Sequence, residues 1–104
     1  MRRFGQHARL KAECVEEYKR LHAAAWPEVL KTIHACNLRN YSIYLQGTDL
    51  FAYYEYIGDD YEADMDRMAA DPITQEWWKH TKPCFESHNQ QVYYLDMEEI
   101  FHFE

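Results

Sequence analysis

The sequence predicts a single α+β domain of the ferredoxin-like plan, βαββαβ. Three observations carry that prediction. Segments rich in Tyr, Ile, Leu and Phe alternate with amphipathic or capped stretches in the order β-α-β-β-α-β, the split βαβ arrangement that lays helices on one face of an antiparallel sheet. The middle two segments, 40–47 and 49–58, meet at Gly47, a plausible hairpin turn. The chain has 104 residues, the size of one domain.

Each element follows from local chemistry. In RRFGQHARL (2–10), Phe4, Ala8 and Leu10 alternate with Arg3, His7 and Arg9, the pattern of a half-buried strand. Residues 11–36 read as helix, with Val15, Tyr18 and His22 on one face at i, i+3 and i+7. Pro27 suits a first helical turn, so a second helix restarts there after a bend in HAAAW. On the strand NYSIYLQG (40–47), Tyr41, Ile43 and Leu45 share a face; DLFAYYEYIG (49–58) returns beside it. Residues 59–71 form a helix with an aspartate near its start and Met65, Met68 and Ala69 inward. DPITQEWWKHTKP is a further short helix with Asp71 as N-cap, Pro72 at the first position and Pro83 as terminator. KPCFESHNQQ (82–91) reads as a loop, and VYYLDMEEIFHF (92–103) as a long last strand or two short ones. The strands carry tyrosines and large apolar residues on both faces, so the sheet face away from the helices is expected to be covered in a homodimer.

Composition excludes several classes. The net charge is −7 with no basic patch, against nucleic-acid binding. The longest apolar run, AAAW (23–26), cannot span a membrane, and no signal peptide is legible. Cys14, Cys36 and Cys84 have no CxxC spacing, which fits reduced thiols and the cytoplasm. The six histidines, His7, His22, His34, His80, His88 and His102, show neither HxH nor HExxH, so no metal site is predicted. With three glycines there is no phosphate cradle. Glu98 and Glu99 are adjacent on the expected last strand and face opposite ways, so they make no ready acid/base pair.

Aromatic residues are the anomaly, at 16% with nine tyrosines, a composition common in small-molecule pockets and subunit interfaces. Tyr18 and His22 are helical neighbours at i, i+4, and a histidine can exchange a proton near neutral pH. The same pair also fits an ordinary core edge. Trp77 and Trp78 point about 100° apart on a helix. Either one fills the core while the other meets a partner subunit, or one lines a sugar pocket, where the C–H face of a pyranose packs on indole.

Four segments, EEYKRLHAAAWPE (16–28), NYSIYL (40–45), EWWK (76–79) and MEEIFHF (97–103), together resemble the L-rhamnose mutarotase family in order and spacing. The resemblance covers nearly the whole chain. It implies a cofactor-free homodimeric isomerase with a dimeric α+β barrel fold that interconverts the α and β anomers of L-rhamnose. It also implies His22 as proton donor and Tyr18, Tyr41, Trp77 and Trp78 as sugar-binding residues. AAA (23–25) and Leu21 depart from the family pattern, which keeps another 6-deoxy hexose such as L-fucose as an alternative substrate. Mutarotation breaks C1–O5 and recloses the ring on the other face of the aldehyde, with a proton delivered to the ring oxygen and one removed from the anomeric hydroxyl; the residues do not identify the base. Two rivals come from other classes. A cofactor-free monooxygenase or haem-degrading enzyme of the same fold would consume O₂, and a non-enzymatic binding module would bind sugar without exchanging its anomers.

Overall fold

A computed structural model describes residues 1–86 and 93–104. The expected loop beyond Glu86, with His88, and the start of the last strand at Val92 lie outside the described residues. Four strands form one antiparallel sheet in the order β2-β3-β1-β4: β1 (Arg2–Arg9), β2 (Leu38–Gln46), β3 (Asp49–Tyr56) and β4 (Leu95–Met97). The helices are α1 (Val15–Ala23), α2 (Pro27–Ala35), α3 (Tyr61–Ala70) and α4 (Pro72–Thr81). This is the ferredoxin-like α+β arrangement. Among the described residues, no helix is long and apolar enough to cross a membrane.

The local signals act where they were expected. A 3₁₀ turn, Ala12–Cys14, leads into α1, and the chain breaks at residues 24–26 before Pro27 opens α2 behind Trp26. Asp60 caps α3 by accepting from the Ala63 N–H at 3.1 Å. Asp71 caps α4 by accepting from the Thr74 N–H at 2.8 Å and its hydroxyl at 2.9 Å. Each cap satisfies a backbone donor that has no partner within the helix. Gly47 turns the β2–β3 hairpin with φ +63°, a region open to glycine at little cost. Asn37 leaves α2 at φ 69°, a conformation asparagine tolerates better than most residues.

The core lies between the sheet and the helices. Ala8, Leu10 and Leu50 pack with Tyr18, Cys84 and Phe85 under α1. Leu21, Val29 and Trp77 join α1, α2 and α4. Leu38, Tyr54 and Tyr56 lie beneath α3. The cysteines are free, with Cys36 and Cys84 buried and Cys14 half-buried, and burial pushes the Cys84 thiol up to about 11.

Four expectations need correction. The last strand is three residues long, not a long strand or a pair. Beyond Met97, which pairs with Gly5, the chain leaves the edge of the sheet. There Arg3 on β1 holds Glu99 through its side chain, donating from Nε at 3.2 Å and Nη2 at 2.8 Å. Glu98 and Glu99 therefore lie outside any strand. Ala69 is exposed rather than inward, because the buried-side stripe of α3 is Tyr61, Met65 and Met68 at i, i+4 and i+7. Lys82–Cys84 is a 3₁₀ turn, not loop, and Phe85 bridges to Leu10.

On β2 the Tyr41–Ile43–Leu45 face is kept despite a bulge between Arg39 and Ser42, where Asn40 adopts φ 53°. Tyr41 packs against Tyr54 and Ile43 against the core, while Leu45 sits at the rim. The opposite sheet face carries Tyr44, 67% exposed, with Leu95 and Met97. Ile100, Phe101 and Phe103 of the tail are also exposed.

Candidate functional site

The site is built where α1 and α4 lie over the inner face of the sheet. Tyr18 and His22 stand one turn apart on α1, as their spacing requires, with ring centroids 4.2 Å apart. Trp77 reaches in from α4 and meets His22 edge-on at 5.3 Å. Trp26 backs Trp77 at 5.2 Å. The imidazole is thus held between a phenol and an indole.

His22 has a defined tautomer. Its Nδ1 is 2.9 Å from the carbonyl oxygen of Tyr18. A carbonyl can only accept, so Nδ1 carries the proton and donates it. Burial lowers the pKa of the imidazole, and the bond to the carbonyl offsets this in part. The ring is therefore neutral at pH 7 and its Nε2 offers a lone pair. Among the described residues Nε2 has no hydrogen-bond partner, and no buried side-chain nitrogen or oxygen is left unsatisfied.

Tyr18 links the imidazole to a group of phenols. The hydroxyls of Tyr18 and Tyr94 are 3.2 Å apart, and those of Tyr54 and Tyr61 are 2.6 Å apart. Burial raises the pKa of Tyr18, Tyr54 and Tyr94; neighbouring phenols add to the rise at Tyr54 and Tyr94, whereas at Tyr18 the bond to Tyr94 opposes it. Tyr41 belongs to the same group. The residue is 39% exposed at the sheet edge, yet burial raises its pKa, and Tyr94 and Tyr61 contribute. These phenols stay protonated throughout the neutral range. Within each bonded pair one O–H is used between the partners, which leaves one proton for a third group.

Four of the five residues singled out in the sequence, Tyr18, His22, Tyr41 and Trp77, are brought to this region. Trp78 is placed differently. It is half-buried against the α1–α2–α4 cluster, with the Lys82 ammonium 4.4 Å from its ring centroid. It lines a shallow surface depression with Gln75, Lys79, Lys82, Pro83 and Tyr93. Tyr54, Tyr61 and Tyr94 were not distinguished from the other tyrosines by any spacing. Alternation along β3 from Leu50 to Tyr54 was the available signal for Tyr54. Among the described residues no three of His, Cys, Asp and Glu converge as a metal site.

Comparison with known proteins bears on the family and the fold. The family model described as L-rhamnose mutarotase matches residues 3–103. An L-rhamnose mutarotase of Listeria monocytogenes is 41% identical over 90 residues, covering 84% of each chain. One from Lactiplantibacillus plantarum is 33% identical over 105 residues, covering 98% of each. Among solved structures, an L-rhamnose mutarotase from Formosa agariphila superposes with a TM-score of 0.81 at 22% identity over the whole of both chains, which speaks to the fold.

Proposed function

This chain belongs to the L-rhamnose mutarotase family, and from that premise we propose that it interconverts the α and β anomers of L-rhamnose. The observation that carries the mechanism is the neutral imidazole of His22, fixed between Tyr18 and Trp77 with Nε2 free. Ring opening removes the proton from the anomeric hydroxyl, breaks C1–O5 and puts a proton on O5. Nε2 takes the first proton, and a phenol of the Tyr18–Tyr94 pair supplies the second. Rotation about C1–C2 turns the aldehyde, and the 5-hydroxyl attacks its other face. The proton of that hydroxyl returns to the phenolate left by the first step, and the imidazolium gives its proton back to the carbonyl oxygen. The resemblance implies His22 as the proton donor, the acid of ring opening; the lowered pKa favours instead a base in ring opening that returns its proton on reclosure. Tyr41 binds hydroxyls, the half-buried Trp78 is the more accessible indole for apolar contact, and Trp77, in the core, braces the imidazole edge-on.

A mutarotase for L-fucose and a cofactor-free monooxygenase are not favoured, since the relatives at 33% and 41% identity bear the L-rhamnose mutarotase name. The test of the activity is NMR exchange between the anomer signals of L-rhamnose with and without protein, L-fucose alongside. Faster exchange for L-rhamnose is expected; absence of acceleration for any deoxy hexose would sink the proposal.

The pH dependence has a definite sign. Catalysis needs neutral His22, whose pKa lies below the ordinary 6.5. The protein-dependent rate, after subtraction of the uncatalysed rate, is therefore expected to hold as pH falls through 6.5 and to drop only in more acidic solution. The protonated phenols predict no alkaline loss below their ordinary value of about 10. A kcat/KM profile with its acid midpoint at or above 6.5 contradicts this. The same shift acts on folding. The unfolded chain takes up a proton at His22 more readily, so the His22 contribution to stability is complete above 6.5 and declines as pH falls toward the folded pKa.

The cytoplasm is the compartment that three free thiols fit. A homodimer would cover Tyr44, Leu95, Met97 and the apolar tail, which are exposed in the single chain. Light scattering at twice the chain mass is expected; a monomer mass at high protein concentration would refute the dimer.

A further inference from the structure

Beneath the site, one row of paired residues crosses all four strands: Ile43, Ala52, Gln6 and Asp96. Directly paired residues of an antiparallel sheet project to the same face. That face is the inner one, since Ala52 lies between Leu50 and Tyr54 on β3 and Gln6 lies between Phe4 and Ala8 on β1. The methyl of Ala52 is the smallest side chain in the row. Its neighbours toward β4 are polar, and Gln6 Nε2 donates to Asp96 Oδ1 at 2.8 Å.

The position of this pair is informative. Asp96 is exposed on β4 two residues beyond Tyr94, whose hydroxyl meets that of Tyr18, and its charge adds a small share to the rise in the Tyr54 pKa. The phenols around the site are protonated and offer donors. A sugar hydroxyl is both donor and acceptor, so a site rich in donors still needs acceptors for the sugar's own protons. Among the described residues, Asp96 Oδ2 and the amide oxygen of Gln6 form no hydrogen bond. Two acceptors therefore stand side by side, one of them charged, held in fixed relation by the bond between their side chains.

We propose that Asp96, oriented by Gln6, is a substrate-binding carboxylate that accepts hydroxyl protons of the pyranose and so determines which hydroxyls the site requires. The proposal rests on the mutarotase reading above. Gln6 is the positioning residue and Asp96 the one that touches the sugar. Neither was singled out by the sequence, where 90 residues separate them.

The test uses the full chain, Asp96→Asn and Gln6→Ala, with three readouts: anomer exchange of L-rhamnose by NMR, equilibrium titration of L-rhamnose, and melting temperature. A hydrogen bond to a charged acceptor predicts that Asp96→Asn raises KM and the titrated dissociation constant about 10- to 100-fold. The kcat stays within about threefold, because binding common to ground and transition states is lost. Gln6→Ala is expected to raise KM about threefold. One mono-deoxy derivative of L-rhamnose should lose affinity for the wild type and lose nothing further with Asp96→Asn, the signature of a shared contact. A lowered melting temperature with unchanged sugar affinity would overturn the proposal, since the pair would then only fasten β4 to β1. A fall in kcat with unchanged KM would also overturn it, by making Asp96 a proton carrier. If the wild type accelerates no exchange, the mutarotase reading fails, and the titration still decides whether Asp96 binds sugar.

Discussion

Substituting His22 with glutamine is expected to lower protein-catalysed anomer exchange by about 10²–10⁴-fold, the range for loss of one general acid–base group. Glutamine is polar, close to imidazole in length, and able to donate to the Tyr18 carbonyl as Nδ1 does. It cannot take up and return a proton near neutral pH. The change therefore removes proton transfer while leaving the phenols and Trp77 in place. His22 is half-buried and makes ring contacts with Tyr18 and Trp77, so some stability is lost, and the melting temperature is to be measured beside the rate. Saturation-transfer NMR at several L-rhamnose concentrations separates the two effects: kcat should fall while KM moves little. Retention of more than a tenth of the wild-type kcat by a folded His22→Gln protein would remove His22 from the reaction and leave the proton to a phenol or to water.

Replacement of Trp77 by alanine is expected to cost about 3–5 kcal/mol of folding stability, the range for deleting a buried large aromatic side chain. Trp77 is 6% exposed and packs with Leu21 and Val29, so it joins three helices through one side chain. A domain of this size has about 5–15 kcal/mol in total. At roughly 4–8 °C per kcal/mol, the melting temperature should fall by more than 12 °C. Trp78→Ala is expected to cost well under half as much, because that ring is half-buried and its charged neighbour Lys82 keeps it at the surface. Thermal unfolding followed by circular dichroism checks both. Equal losses would mean that the two indoles share the core. If Trp78 lies against sugar, its alanine variant raises KM with little thermal effect. Trp77→Phe keeps an aromatic ring beside His22, and partial recovery of stability and rate together would tie core packing to the orientation of the imidazole.

The tandem tryptophans also show how far a local pattern reaches. Helical geometry requires that they diverge, and the Asp71–Pro72 start sets the helix that carries them. Which one turns inward depends on how α4 lies against α1 and α2, and no residue near them in the chain encodes that. The same contrast holds elsewhere. Pro27 breaks the helix because proline lacks an N–H and clashes with the preceding turn, a property of one residue and its neighbours. Tyr18 and His22 are legible because four residues make one helical turn. Gly47 marks its hairpin because the turn takes a positive φ. These signals, with the alternation of β1 and β3, are sufficient for the ferredoxin-like order, and the four quoted segments are sufficient for the family.

What the sequence determined by itself is therefore whatever depends on neighbours within a turn or on alternation along a strand: the elements, their caps, the Tyr18–His22 pair and the family. What only the tertiary structure decided depends on register between distant segments. β4 stops at Met97 because the chain beyond it leaves the β1 edge, where Arg3 takes Glu99 instead. Tyr94 reaches Tyr18, and Asp96 reaches Gln6, because a short edge strand pairs with β1 at one particular offset. A slip of one residue in that pairing would turn Asp96 to the opposite face, and alternation within β4 reads the same at either offset.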